Sequence, residues 1–486
     1  MSAASVNAHF HGVLRRCSEN PRYFTDDTGK AILLSGSHTW CTLVDLLPID
    51  REPKKEELFD FDRWLSFTKE NGYNFLRLWS RDAGYRVHWR GQEDIVEVTP
   101  SIWEHAGKRI PGQPPKYDLD RLNPAYFERL RKRVEQLGEI GVYVSVMLFD
   151  AWSSFPYMPG GFDGHPLNKQ NNVNGVDGCP ETPPVPEELN PDGDRTVFKG
   201  CDSFTIHTLA DPKILAYQKA YVKKVVETLN DLDNVMFEIA NEALVRSKYW
   251  QYEMIRYIRE LESGMEKQHP IWMSHVVQAN NPVLFASDAD AVSPGVEAVD
   301  EDFCVDPPIL DGRKVILADT DHLGGIWGTA QWAWKTFLRG HNPIFMDNYN
   351  MPGADLDQMA IPDSPLTVLF GRVQYGLPDD WRVPVRNALK QILRVAKGLP
   401  LEKMLPDGTI SSTKYALVSP REEYLIYQPA SGQFRLNLIG ARGPFTVEWI
   451  HPVTGEVTKG ASFRGGCAID FTPPYEGEVL LHLKKE

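Results

Sequence analysis

Two apolar runs in this chain stop at carboxylates. Residues 234–243 read NVMFEIANEA and carry Asn241-Glu242 at their end, and residues 315–318 (VILA) stop at Asp319-Thr320-Asp321-His322. Two carboxyls brought together could hydrolyse a glycosidic bond: one protonates the leaving oxygen while the other attacks or stabilises the sugar carbon. A strand-end acid also serves as a helix cap or as half of a structural ion pair. Two such ends within one strand–helix series make the catalytic reading the better one.

Glu238, Ala240 and Glu242 share one strand parity, so Glu238 points into the same interior below Glu242. Glu238 is expected to pair with an inner arginine such as Arg77. A Glu242 carboxyl near other acids and apolar walls would have a raised pKa, which suits a general acid. Polar residues at the other strand ends lie where a sugar would sit: His38 and Trp40, Trp79 and Arg81, Asp150 and Trp152, His275, and Asp347 with Tyr349. Each has an equally plain role in packing a loop. His322 could orient a carboxylate or bind a hydroxyl. Trp327, after Gly324-Gly325, reads as a stacking platform or a packed loop residue.

The elements that must position these groups alternate from about residue 30 to 398. Apolar runs at 31–35, 73–79, 142–149, 234–242, 270–277, 291–293, 315–318 and 343–346 read as eight strands. Between them fall helical patterns at 54–70, from Asn123-Pro124, from Asp211-Pro212, and at 250–267, 328–339 and 383–397. Eight such units predict a (β/α)8 TIM barrel, whose functional groups sit at the C-terminal strand ends. An open doubly wound sheet would need a Gly-rich phosphate turn after the first strand, and GSHTWC lacks that spacing. After residue 398 short period-two segments with turn signals predict a small all-β sandwich over 399–486. Residues 153–209, rich in Pro, Gly, Asn and Asp, read as a long loop that walls a substrate cleft, with a disordered insert as the alternative.

The totals agree with a barrel plus a small module. The chain has 486 residues, 42% hydrophobic and 24% charged, with a net charge of −14. That charge argues against nucleic acid as a partner, which needs clustered Lys and Arg. Six cysteines are too few for a disulfide scaffold, although Cys179 and Cys201 share one polar segment and could staple it. No run is long enough to span a membrane, and residues 1–16 lack a signal-length apolar stretch. The expected location is therefore the cytoplasm, or the periplasm or exterior for a chain already trimmed of its signal.

Asn-Glu ending the fourth strand, Arg77 late in the second and an acid ending the seventh resemble the retaining glycoside hydrolases of clan A. The layout is most similar to the apiosidase-like proteins, whose barrel precedes a small β-sandwich labelled a collagen-binding domain. The resemblance implies that Glu242 is the acid/base, Asn241 donates to the sugar 2-hydroxyl, and Arg77 orients the nucleophile. The clan's nucleophile is a Glu; here Asp319 stands at its position and Asp321, of the same parity, is its rival. Asp is one methylene shorter, so the sugar or the backbone must come closer. Retention needs carboxyls about 5–5.5 Å apart and inversion about 6.5–9.5 Å. The expected partner is an oligosaccharide or polysaccharide of plant, algal or microbial origin. A sugar-binding barrel without catalysis and a transglycosylase are the competing readings.

No H-E-x-x-H, paired C-x-x-C or strand-one His-x-His occurs, so neither a catalytic metal nor another cofactor is expected. Asp192-Gly193-Asp194 hints at calcium without the full ligand loop. There is no G-x-S-x-G elbow.

Overall fold

The computed structural model describes residues 6–86, 96–154, 162–180, 205–277, 281–295, 302–324, 328–347, 349 and 382–486. Eight parallel strands are the frame: β1 (Gly36–His38), β2 (Phe75–Leu78), β3 (Tyr143–Phe149), β4 (Val235–Ala240), β5 (Ile271–Met273), β6 (Ala291–Val292), β7 (Val315–Asp319) and β8 (Asn342–Met346). They form one sheet in the order β1-β8-β7-β6-β5-β4-β3-β2, which curls into a nearly closed barrel. At the seam between β1 and β2 a single asparagine does the joining. Asn74 donates its backbone N–H to Ser35 O (3.2 Å), accepts Ser35 N–H on Oδ1 (2.9 Å) and donates Nδ2–H to Leu33 O (2.7 Å). Gly36 is required there, because a Cβ on it would lie 2.0 Å from the Phe75 carbonyl oxygen.

The helices are α1 (Phe61–Asn71), α2 (Pro124–Gly138), α3 (Pro212–Leu229), α4 (Lys248–Glu262), α5 (Pro282–Phe285), α6 (Thr320–Gly324), α7 (Ala330–Leu338) and α8 (Arg382–Ala396). Their starts follow from capping. Asn123 accepts Ala125 N–H, and Asp211 accepts the N–H groups of Lys213 and Ile214, each before a proline at the first helical position. None of the described helices is long and apolar enough to cross a membrane.

Two expectations shift. Residues 31–35 are not the first barrel strand: Ala31–Ile32 pairs antiparallel with Phe24–Thr25, and the barrel strand begins at Gly36. The apolar signal came from Leu33 and Leu34, buried in the core on the way in. The first helix starts at Phe61 rather than near residue 54, because Asp60 caps it by accepting Arg63 N–H (2.9 Å). A separate 3₁₀ turn, Lys55–Glu57, precedes it.

Nine strands follow the barrel: β9 (Leu405–Pro406), β10 (Ala416–Ser419), β11 (Glu423–Gln428), β12 (Phe434–Asn437), β13 (Gly443–Ile450), β14 (Val457–Lys459), β15 (Phe463–Gly465), β16 (Ala468–Phe471) and β17 (Val479–Lys485). The main antiparallel sheet runs β9-β10-β11-β17-β13-β14, with β15 on β13, and β12 pairs with β16 alone. Alternation gives the main sheet two buried faces. Val418, Ile426, Val447, Trp449, Leu481 and Leu483 pack with Phe434, Leu436 and Phe471 of the small sheet. Leu417, Leu425, Tyr427, Ile450 and Leu480 instead join the barrel core. Hydrogen bonds fix the joint: Trp334 Nε1 to Pro452 O (3.0 Å), Gln331 to Pro429 O (3.0 Å) and Arg394 to Gly455 O (2.9 Å).

Candidate active site

Arg77 on β2 is the hub. Its side chain is fully buried, and its Nε and Nη2 bind Glu238 of β4 at 2.6 and 2.5 Å, the bidentate geometry that fixes a guanidinium plane. The remaining N–H groups face the strand ends: Nη1 donates to Asp321 Oδ2 (2.6 Å) and Nη2 to Asn241 Oδ1 (2.5 Å). The guanidinium carbon lies 4.8 Å from the Trp79 ring and 5.5 Å from the Trp272 ring, within cation–π range of both. Burial alone would lower the Arg77 pKa, but Glu238 and Asp321 more than offset it and raise it. Glu238 thus holds the arginine, and the arginine presents its free edge to Asn241 and Asp321.

Around this hub two histidines have assigned protons. Trp79 Nε1 can only donate, and it donates to His38 Nδ1 (2.8 Å). His38 Nδ1 therefore carries no hydrogen, and Nε2–H donates to Asp319 Oδ1 (2.9 Å), which also accepts Asp321 N–H (3.0 Å). Burial would raise the Asp319 carboxyl, yet His38 and the Arg77 charge hold it well below the usual range. Asp319 is an ionised carboxylate whose side chain is 1% exposed. His322, opening toward Asn241 and Ser293, is driven well below its ordinary pKa by burial and by Arg77.

Asp321 differs from Asp319. Its side chain is 8% exposed, it sits in the first turn of α6, and Arg77 is the only described side chain that donates to it. Burial and the Asp319 charge raise its pKa despite Arg77.

Glu242 follows β4 with φ +46°, the left-handed region that non-glycine residues rarely adopt. Ser274 steadies the turn by accepting Glu242 N–H on Oγ (3.3 Å) while donating its own hydrogen to Ala240 O (2.6 Å). The Glu242 carboxyl makes no hydrogen bond among the described residues. Burial, and next the charge of Asp321, raise its pKa well above the carboxylate range. Among the carboxylates, Asp321 acts on it most strongly.

The other strand-end candidates separate. Trp79 shares a small apolar cluster with Met147 and Met346, and Trp40 packs against it. Trp152 heads a short 3₁₀ turn and donates its backbone N–H to Asn241 O (3.1 Å). His275 is buried beside Gly295, where a Cβ would lie 1.9 Å from its Nδ1, and burial pushes its pKa down to about 4. Asp150 is fully buried and takes Arg81 Nη1 at 2.6 Å. Asp347 takes Arg386 of α8 twice, at 2.7 Å each. Tyr349 turns to the helical layer, stacked on Phe67 at 4.0 Å and bonded by Arg63 Nε (3.2 Å). Trp327, Asp192, Asp194 and Cys201 lie outside the described residues.

The described part of the long third loop is pinned by Asp82. Its Oδ2 accepts His165 Nε2 (3.3 Å) and His207 Nε2 (2.9 Å), and its Oδ1 accepts Asp150 N–H (3.0 Å). Sequence reasoning passed over Trp272, Ser274 and Ser293. Ser274 and Ser293 directly follow β5 and β6, a strand-end signal of the same kind as the acids. Trp272 lies inside an apolar run and carries no signal. Among the described residues no group of three His, Cys, Asp or Glu could hold a metal ion.

The fold is one shared with glycoside hydrolases. A glycoside hydrolase family 5 protein from Bacteroides vulgatus superposes with a TM-score of 0.61, covering 98% of this chain and 94% of the other at 13% identity. A second glycoside hydrolase covers 99% of this chain and 98% of its own, with a TM-score of 0.55 and 12% identity. No family model and no curated protein matches the sequence.

Proposed function

We propose that the protein is a glycoside hydrolase of the clan A type, using Glu242 as acid/base and Asp321 as the second carboxylate. The carrying observation is the Glu242 carboxyl, raised in pKa without a hydrogen-bond partner among the described residues and coupled to Asp321 held by Arg77. In this reading Asp319 supports the site. Its Oδ1 takes both His38 Nε2–H and the Asp321 N–H and its Oδ2 is buried, whereas the more exposed Asp321 gives one oxygen to Arg77 and keeps the other to offer to a sugar carbon. Arg77 keeps Asp321 oriented, and Asn241 presents its amide to the sugar 2-hydroxyl. Retention through a glycosyl–Asp321 intermediate is the expected course. The substrate is an oligosaccharide or polysaccharide. The layout resembles that of the apiosidase-like group, with the segment 399–486 acting as a support packed on the helices of the barrel.

The deciding measurement is a screen of aryl glycosides and plant, algal and microbial oligosaccharides, with the first-formed anomer followed by NMR. A product of retained configuration that disappears in Asp321→Asn supports the assignment. A product first formed with inverted configuration removes Asp321 as nucleophile. Turnover that persists unchanged in Glu242→Gln removes the catalytic reading altogether.

A further inference from the structure

We infer that His322, set by Ser293, is a positioning residue that fixes which end of the Asn241 amide faces the substrate. This rests on the glycosidase reading for its consequence, but the hydrogen-bond assignment itself stands on geometry. An amide side chain can rotate by half a turn and exchange its oxygen for its nitrogen at little steric cost. In this site the exchange would replace an acceptor by a donor wherever Asn241 meets the sugar.

Three contacts prevent it. Arg77 Nη2 can only donate, so the Asn241 atom 2.5 Å away must be the oxygen. His322 Nε2 lies 3.3 Å from that same oxygen and 3.6 Å from Asp321 Oδ2, both acceptors, so Nε2 must carry the hydrogen. Its Nδ1 then holds a lone pair, which accepts from the Ser293 hydroxyl at 2.7 Å. Ser293 is suited to this sense of donation because its oxygen faces the Asp319 backbone N–H (3.4 Å) on its accepting side. The relay runs in one direction: Ser293 O–H to His322 Nδ1, then His322 Nε2–H to Asn241 Oδ1.

Two donors thus converge on the oxygen and commit the NH2 group to the opposite side, where no described residue accepts it. Asn241 is fixed as a donor toward the cleft. His322 itself is fully buried and shielded from substrate by that arrangement, so its effect passes through Asn241. A sugar hydroxyl that accepts a hydrogen bond at this position, the 2-hydroxyl in the reading above, is favoured. A substrate lacking an oxygen there gains nothing from the relay.

Neutron diffraction on deuterium-exchanged crystals of the full chain tests the assignment whether or not any glycoside is cleaved. Deuterium on His322 Nε2, none on Nδ1, and the Asn241 ND2 group turned away from Arg77 is the expected result. Deuterium on Nδ1, or a rotated amide, overturns it. The second measurement compares 4-nitrophenyl glycosides with their 2-deoxy counterparts. His322→Phe is expected to lower kcat/KM on the 2-hydroxyl substrate about 10- to 100-fold, the usual scale for a residue supporting a functional side chain. The 2-deoxy substrate should be nearly unaffected, and His322→Gln, which restores a donor, should recover most of the loss. An equal loss on both substrates would mark His322 as structural only and overturn the positioning role. Absence of turnover by the wild type would strike the glycosidase reading and leave the neutron result to decide the relay.

Discussion

Glu242 and Asp347 look alike in sequence and could hardly differ more in the folded protein. Each closes a parallel barrel strand at its C-terminal end, four and eight respectively. Asp347 is gripped through both its oxygens by the Nε and Nη2 of Arg386 and accepts Tyr349 N–H as well. Glu242 has no such partner, its backbone is left-handed, and its pKa is pushed up by burial and by Asp321. The difference is supplied from outside the strands. Helix α8 delivers an arginine to strand eight, while Arg77, which reaches strand four, is already divided among Glu238, Asn241 and Asp321. In the proposed mechanism, the strand-end acid that does the chemistry is the one the surrounding elements leave unsatisfied.

The comparison can be broken in order of effect. Glu242→Gln is expected to abolish the general-acid contribution, about 10²- to 10⁴-fold in kcat on substrates with poor leaving groups. Asp347→Ala, measured on the same assay at a temperature where the variant is folded, should leave kcat within about threefold, since surrounding contacts add nearly independently of the distant chemistry. Its damage belongs to stability: breaking the buried Asp347–Arg386 pair should cost on the order of 3–5 kcal/mol, read from the urea midpoint. If Asp347→Ala were catalytically dead but stable, the contrast between the two strand ends would fail.

A subtler outcome concerns pH. Because the folded pKa of Glu242 is raised, the folded state holds its proton more tightly than the unfolded chain does. Stability is therefore lost as pH rises from the unfolded value, about 4.3, through the folded one. Glu242→Gln should accordingly raise the thermal midpoint at pH 7, and that gain should vanish near pH 4, as calorimetry at the two pH values would show. Asp82 behaves oppositely. Despite burial, His165 and His207 hold its carboxyl below the usual range, so its contribution is present above about pH 4 and is lost on acidification. Asp82→Asn should remove part of the acid-induced loosening of the third loop, measured by hydrogen exchange over 162–180.

The smallest effect tests the coupling inside the site. Asp321→Asn removes the like charge that acts most strongly on Glu242, so the Glu242 titration should move down in pH, followed by carboxyl 13C shifts. An unchanged titration would separate the two carboxyls and return Asp319 to contention.

Much of this was legible in the residues. Asn123, Asp211 and their following prolines marked helix starts because capping is local chemistry. Strand parity placed Glu238 under Glu242, and Arg77 was the expected inner partner for it. The limits were equally physical. Nothing near Asp347 in sequence announces Arg386, 39 residues on. The His38–Asp319 bond spans 281 residues, and only the closed ring of strands brings them together. The first strand was displaced because hydropathy records burial, and Leu33 and Leu34 are buried without being in the barrel sheet.

The main sheet of the C-terminal sandwich has one further consequence, for how this chain can be divided. Its strands bury alternate side chains in opposite directions, so Leu417, Leu425, Tyr427, Ile450 and Leu480 belong to the core they share with the barrel's helices as much as to their own sheet. A chain cut after residue 398 would uncover the helix faces those residues seal, and the released sandwich would carry a matching greasy surface. Each fragment expressed alone is therefore expected to be less soluble than the whole chain.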